Sequence, residues 1–119
     1  LSKLLGTTSL QHKSELVAYV RETIHQAPVS GILVDLMAMA DRPDSLAHLR
    51  TITCPTLVVI GQEDFTTPLA DAELMAREIP GARLAVIPAA GHVSNREQPE
   101  VFNDLLRGFV EGLPNTPGA

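Results

Sequence analysis

Two residues stand where side-chain chemistry would be useful. One is the carboxylate Asp64, within Gly61-Gln62-Glu63-Asp64-Phe65-Thr66-Thr67-Pro68; the other is the imidazole of His92, at the end of Pro88-Ala89-Ala90-Gly91-His92. Each lies just beyond an apolar run, and Asp64 sits three residues past the glycine that closes the first of them. A carboxylate on so short a tether can hold one imidazole tautomer and stabilise the imidazolium that forms when the ring takes a proton. The small residues before His92 let backbone approach closely. Either residue alone has an ordinary reading: acidic residues serve turns and helix caps after strands, and a loop histidine is at home half exposed. Glu63 is the rival acid.

Whether the two side chains meet depends on the elements that carry them. Residues 56–60 (Thr-Leu-Val-Val-Ile) are a β-favouring run without polar alternation, the habit of a strand buried on both faces of a parallel sheet. Gly61 closes it. Thr67 and Pro68 then supply an N-cap and a proline for the first helical position, and the predicted helix has the apolar stripe Leu69, Ala72, Met75, Ala76 and Ile79 before Pro80-Gly81 stops it. Residues 83–87 predict a second strand and 88–98 a loop. Pro99 opens a last helix with Val101, Phe102, Leu105, Leu106 and Phe109 facing inward. Strand, loop, helix, strand is the order of a right-handed parallel crossover, whose functional loops gather at the carboxyl ends of the strands. Asp64 and His92 both fall at such ends.

The first fifty residues carry helical spacing and no strand signal. Ser14 is placed to cap a helix in which Leu16, Val17, Val20 and Ile24 share a face, and Pro28 ends it; Ser30 is placed to cap another with Ile32, Leu33, Leu36, Met37 and Ala40 recurring, before Arg42-Pro43-Asp44-Ser45 breaks the pattern. The tail, residues 114–119, reads as loose. With 119 residues, 45% of them hydrophobic and 19% charged, the chain suits one soluble domain. A net charge of −5 with scattered arginines gives no attraction to nucleic acid or anionic lipid. The single cysteine, Cys54, excludes an internal disulfide and fits a reducing, cytoplasmic setting. No zinc spacing occurs, and no cofactor is expected. No apolar run is long enough to span a bilayer and the N-terminus has no signal-peptide pattern. A start at Leu1 suggests processing, trimming or a fragment.

The two loops in order resemble the end of an α/β-hydrolase. Pro55 to Asp64, followed by Thr67-Pro68, is similar to the acid-bearing strand and loop of that family, and Ala90-Gly91-His92-Val93-Ser94-Asn95-Arg96-Glu97-Gln98-Pro99-Glu100-Val101-Phe102-Asn103 resembles its histidine motif, 28 positions on (92 − 64). The resemblance implies an α/β fold: parallel strands with flanking helices over 51–113, preceded by a helical cap over 1–50. It implies that Asp64 supports His92 as the acid and histidine of a Ser-His-Asp triad, that Glu63 points to solvent, and that Glu97 and Asn95 brace the loop or cap the last helix. Met37, Met39 and Ile32 either line an apolar acyl pocket or pack in a core.

The departure from that family is the nucleophile. No Gly-x-Ser-x-Gly occurs, nor does an early glycine-rich loop for the oxyanion hole. Cys54 precedes Pro55 at the opposite end of the strand and reads as structural. The apolar run at 56–60 also needs neighbours that the chain does not supply, so an open edge is expected to pair with another polypeptide: an N-terminal hydrolase segment carrying the nucleophile, or a strand-exchanged second copy. The favoured function is therefore the C-terminal part of an esterase- or lactonase-type hydrolase acting on a small-molecule ester or lactone. The alternatives are a non-catalytic binding or assembly module, and an isolated acid-histidine dyad doing modest general-base work.

Overall fold

The β-branched residues at the centre of the chain do form a parallel pair in the computed structural model, which describes residues 1–113; the tail expected at 114–119 lies outside the described residues. Leu57–Gly61 (β1) and Arg83–Ile87 (β2) run side by side with Leu57 opposite Arg83, Val59 opposite Ala85 and Gly61 opposite Ile87. The helix α5, Leu69–Glu78, connects them and lies against both strands. Before the sheet come α1 (Thr7–His12), α2 (Ser14–Gln26), α3 (Val29–Asp41) and the short α4 (Leu46–Leu49); after it come α6 (Ser94–Glu97) and α7 (Pro99–Glu111), the latter against β2. The two-strand parallel sheet with flanking helices is the α/β arrangement expected for residues 51–113.

Burial is concentrated at the carboxyl end of the sheet, where the site residues emerge. Ile60, Ala72, Ile87 and Ala90 are buried there, joined by Leu5 from the first segment, while Ile79 is buried where α5 leads back to the start of β2. Close packing at this end depends on glycine. A Cβ on Gly61 would stand 2.3 Å from the carbonyl oxygens of Ala90 and Gly91, and one on Gly91 would stand 2.4 Å from the Gly6 nitrogen. Backbone, unlike the end of a long side chain, has little freedom to yield. Gly61→Ala is expected to destabilise the fold by about 1–3 kcal/mol, seen as a lower denaturation midpoint at unchanged slope. Gly108→Ala in α7, where a Cβ meets nothing within 4 Å, should instead be neutral or stabilising by up to about 1 kcal/mol.

Several local expectations shift. The first strand runs one residue later than 56–60, because Gly61 continues the ladder opposite Ile87 through its backbone. Leu57, Val58 and Val59 are half-buried rather than enclosed, since among the described residues the sheet has two strands. Ser14 and Ser30 are not caps: each lies inside its helix, and no side-chain cap bond forms at α2 or α3. At α5 the N-cap is Pro68, not Thr67. The loop expected over 88–98 contains the turn of helix α6. In α7, Phe102, Leu105 and Phe109 are half-buried while Val101 and Leu106 are exposed. The largest difference is α3, none of whose residues is buried. Its sequence is apolar nearly all round, so it needs cover on several sides, and the described residues supply little; Ile32, Met37 and Met39 are exposed rather than packed in a core.

Candidate active site

The ladder of β1 and β2 continues beyond the strands and ties the two loops together. The Gln62 N–H donates to the Ile87 carbonyl at 2.8 Å, and the Glu63 N–H donates to the Ala90 carbonyl at 2.8 Å. Ala89, at φ 53°, turns the second loop in the left-handed region that L-residues rarely adopt. Its carbonyl accepts from the Gln98 side chain at 3.2 Å. These constraints leave little slack between the acid and the histidine.

Asp64 and His92 meet at this edge, with Oδ2 of the acid 3.0 Å from Nδ1 of the ring. The Asp64 side chain is 4% exposed and that of His92 36%, so the acid is enclosed while the ring faces outward. All the polar capacity of the acid is occupied. Its Oδ1 accepts the Thr66 N–H at 2.8 Å and the Thr67 N–H at 2.9 Å, and its Oδ2 also accepts the Thr67 hydroxyl at 2.7 Å. Burial, the strongest single influence on Asp64, pushes its pKa up; the Thr67 N–H and hydroxyl, His92 and the Thr66 N–H together outweigh it and hold the group below its ordinary 3.8. An ionised carboxylate only accepts, so the ring proton sits on Nδ1 and Nε2 is the nitrogen free to exchange a proton with a reactant.

Glu63, the rival acid, turns away from the ring. It does not point to solvent as the family pattern implies: its Oε1 accepts the Thr8 hydroxyl at 2.5 Å and its Oε2 the Thr8 N–H at 2.8 Å. Those two bonds, the hydroxyl first, lower its pKa from 4.5. Because Glu63 and Asp64 both have native pKa values below their unfolded ones, the stability they confer is complete above the ordinary carboxyl range and is lost as pH falls through the lowered values. Thr8→Val is expected to raise the Glu63 pKa toward 4.5 and to move the acid-unfolding midpoint to higher pH. Carboxyl-carbon NMR titration and acid unfolding followed by circular dichroism check the two effects; an unchanged Glu63 titration would contradict them.

The first segment of the chain joins the site in a way its helical spacing did not foretell. The His92 N–H donates to the Leu4 carbonyl at 3.0 Å, and the Val93 N–H to the same oxygen at 3.3 Å. Glu97 is fully buried; its Oε1 accepts the Gly91 N–H at 2.7 Å and its Oε2 the Gly6 N–H at 2.8 Å. Of the two uses foreseen for Glu97, bracing the loop is the one it has, and α7 carries no side-chain cap. Lys13 donates through Nζ to the Glu97 carbonyl. Asn95 is exposed. Cys54 is exposed and unpaired at the amino end of β1, away from the pair.

The pair lines a cleft of ≈ 340 Å³ together with Val59, Ile60, Gly61, Thr67, Asp71, Ala72, Met75 and Ser94. Met37, Met39 and Ile32 do not line it. An oriented imidazole lining a largely apolar cleft can accept and return a proton next to a bound small molecule. No grouping of three His, Cys, Asp or Glu side chains suited to a metal ion occurs among the described residues, and no helix there is long and apolar enough to cross a membrane.

The model of the alpha/beta hydrolase family matches residues 6–105. The chain is 31% identical to 3-oxoadipate enol-lactonase 1 of Acinetobacter baylyi, an alignment covering 95% of this chain and 45% of the relative. It is 35% identical to the pimeloyl-(acyl-carrier protein) methyl ester esterase of Neisseria meningitidis, over 71% of this chain and 27% of that protein. Among solved structures it superimposes on a thermophilic esterase from Thermogutta terrifontis with a TM-score of 0.88 at 37% identity, covering 92% of this chain and 40% of the esterase. An N-acyl homoserine lactone degrading enzyme matches with a TM-score of 0.75 at 35% identity, over 90% of this chain and 43% of that one. The chain thus spans less than half the length of each of these proteins.

Proposed function

The chain belongs to the α/β-hydrolase family and is esterase- and lactonase-like within it, and from that premise we propose that it is the C-terminal part of a serine hydrolase of esters or lactones. In this reading Asp64 and His92 are two members of a Ser-His-Asp triad, and residues outside this sequence supply the third. The observation that carries the reading is the 3.0 Å Asp64–His92 contact in the lining of the cleft. Relatives named as an enol-lactonase and a methyl ester esterase support the substrate class. The absence of Gly-x-Ser-x-Gly from the sequence supports the outside nucleophile.

The chemistry follows from the tautomer. Nε2 of His92 removes the proton of a serine hydroxyl as its oxygen attacks the substrate carbonyl, and Asp64 offsets the charge of the imidazolium. The imidazolium returns that proton to the departing alkoxide as the C–O bond breaks, leaving an acyl-serine. Water then attacks with the same ring as base, releasing the acid and the free serine. The oxyanion needs backbone N–H donors, which we assign to the same missing region as the serine.

The half-buried face of β1 and the outer edges of the sheet, unpaired among the described residues, are the proposed attachment for that region. It is an N-terminal hydrolase segment or, failing that, a strand-exchanged second copy. Residues 51–113 form the core part in this scheme, while the preceding helices, α3 above all, form the cap. The setting is a reducing cytoplasm, supported by the single unpaired thiol of Cys54. Exposure of the apolar residues of α3 favours one other reading, a non-catalytic assembly module. Native mass spectrometry joined to an aryl-ester assay parts the two. A serine-bearing partner together with turnover supports the hydrolase; a stable homodimer without turnover supports the module.

A further inference from the structure

We propose that Thr67 is a positioning residue of this site, fixing through its hydroxyl both the orientation of Asp64 and the tautomer of His92. The inference rests on the triad reading above. Three atoms form a closed triangle: Thr67 Oγ1 lies 2.7 Å from Asp64 Oδ2 and 3.3 Å from His92 Nδ1, and those two are 3.0 Å apart. One proton assignment satisfies all three sides. The carboxylate only accepts, so the single hydroxyl proton of Thr67 goes to Oδ2. The lone pairs of Oγ1 are then left facing Nδ1, which meets two acceptors and must carry the ring proton.

Thr67 is held for this task from both sides. Its own N–H and that of Thr66 bond Oδ1 while its hydroxyl bonds Oδ2, so the carboxylate is gripped at both oxygens, and without the hydroxyl Oδ2 is free to swing away from Nδ1. The following residue is Pro68, which restricts the backbone of Thr67 to extended conformations, and β-branching limits its χ1. The hydroxyl is not diverted to helix capping, because α5 begins after Pro68 with no side-chain cap bond. Nor do the nearby carboxylates compete for it: Glu63 faces Thr8, and Asp71 lines the cleft from the first turn of α5.

The test compares Thr67→Val, which keeps the shape and removes the hydroxyl, with Thr67→Ser, which keeps the hydroxyl, in the assembled enzyme. A lost hydrogen bond to a charged group corresponds to roughly a tenfold to hundredfold change. Thr67→Val should therefore lower kcat by that factor with KM unchanged, and Thr67→Ser should recover most of it. In parallel, ¹⁵N NMR of the imidazole should find the Nδ1–H form of His92 in the parent and Ser proteins and a mixture with the Nε2–H form in the Val variant. An assembly without ester turnover that still shows these spectra would sink the hydrolase reading and leave the positioning role standing. An Nε2–H ring in the parent protein would overturn the inference even if Thr67→Val failed to fold. So would equal losses in the Val and Ser variants.

Discussion

His92→Ala in the assembled enzyme is expected to lower kcat on a short-chain aryl ester by on the order of 10⁴–10⁶, with KM changed little. On the proposed triad the variant loses the group that takes the serine proton and returns it to the leaving oxygen, while Val59, Ile60, Ala72 and Met75, which line the same cleft, are unchanged. Asp64→Asn should fall nearly as far, by roughly 10⁴, for a different reason. The amide can present N–H to Nδ1 and so favours the wrong tautomer, and it cannot balance the imidazolium charge. Steady-state kinetics of the two variants against the parent checks both. A loss confined to KM would mean that the pair binds rather than reacts.

Glu97→Ala carries the second large effect, on stability. Its buried carboxylate is bonded to the Gly6 and Gly91 N–H groups at 2.8 and 2.7 Å, and truncation would leave both donors buried without a partner. At about 1–3 kcal/mol for each unsatisfied group, the loss is roughly 2–6 kcal/mol, a large share of the 5–15 kcal/mol typical of a whole domain. Glu97→Gln should retain part of it, since the amide oxygen can accept one N–H while its NH₂ opposes the other. Urea unfolding gives the totals, and amide hydrogen exchange locates the damage. Gly6 and Gly91 should lose protection first. Equal stability of parent and Glu97→Ala proteins would show that the brace carries no load.

Much of the site could be read from one sequence because its signals are local. The apolar run ending at Gly61, the carboxylate three residues on and the Gly91-His92 pair after the second run are short-range patterns, and parallel pairing of the strands brings their carboxyl ends together. What could not be read depends on contacts between distant segments. Helical spacing over the first residues says nothing of Leu4 accepting from His92, or of Thr8 turning Glu63 away from solvent. Periodicity likewise marks the apolar faces of α3 without saying what covers them. Thr67 was misread for a different reason. Its place before Pro68 fits an N-cap, whose hydroxyl oxygen accepts a backbone N–H, whereas here the hydroxyl donates its proton to a carboxylate; the run Asp64-Phe65-Thr66-Thr67 is the signal, since an Asx turn puts the next threonines within reach of the acid.

The central claim, that this chain holds the acid and the histidine but not the nucleophile, is tested most directly by covalent labelling with a fluorophosphonate followed by intact mass and peptide mapping. The probe phosphonylates a serine only when a histidine activates it. The account predicts no label on these 119 residues, a single label on a serine of the Gly-x-Ser-x-Gly segment in the assembled enzyme, and loss of that label in His92→Ala. A label on a serine of this chain, or labelling of the assembly that survives His92→Ala, would contradict it.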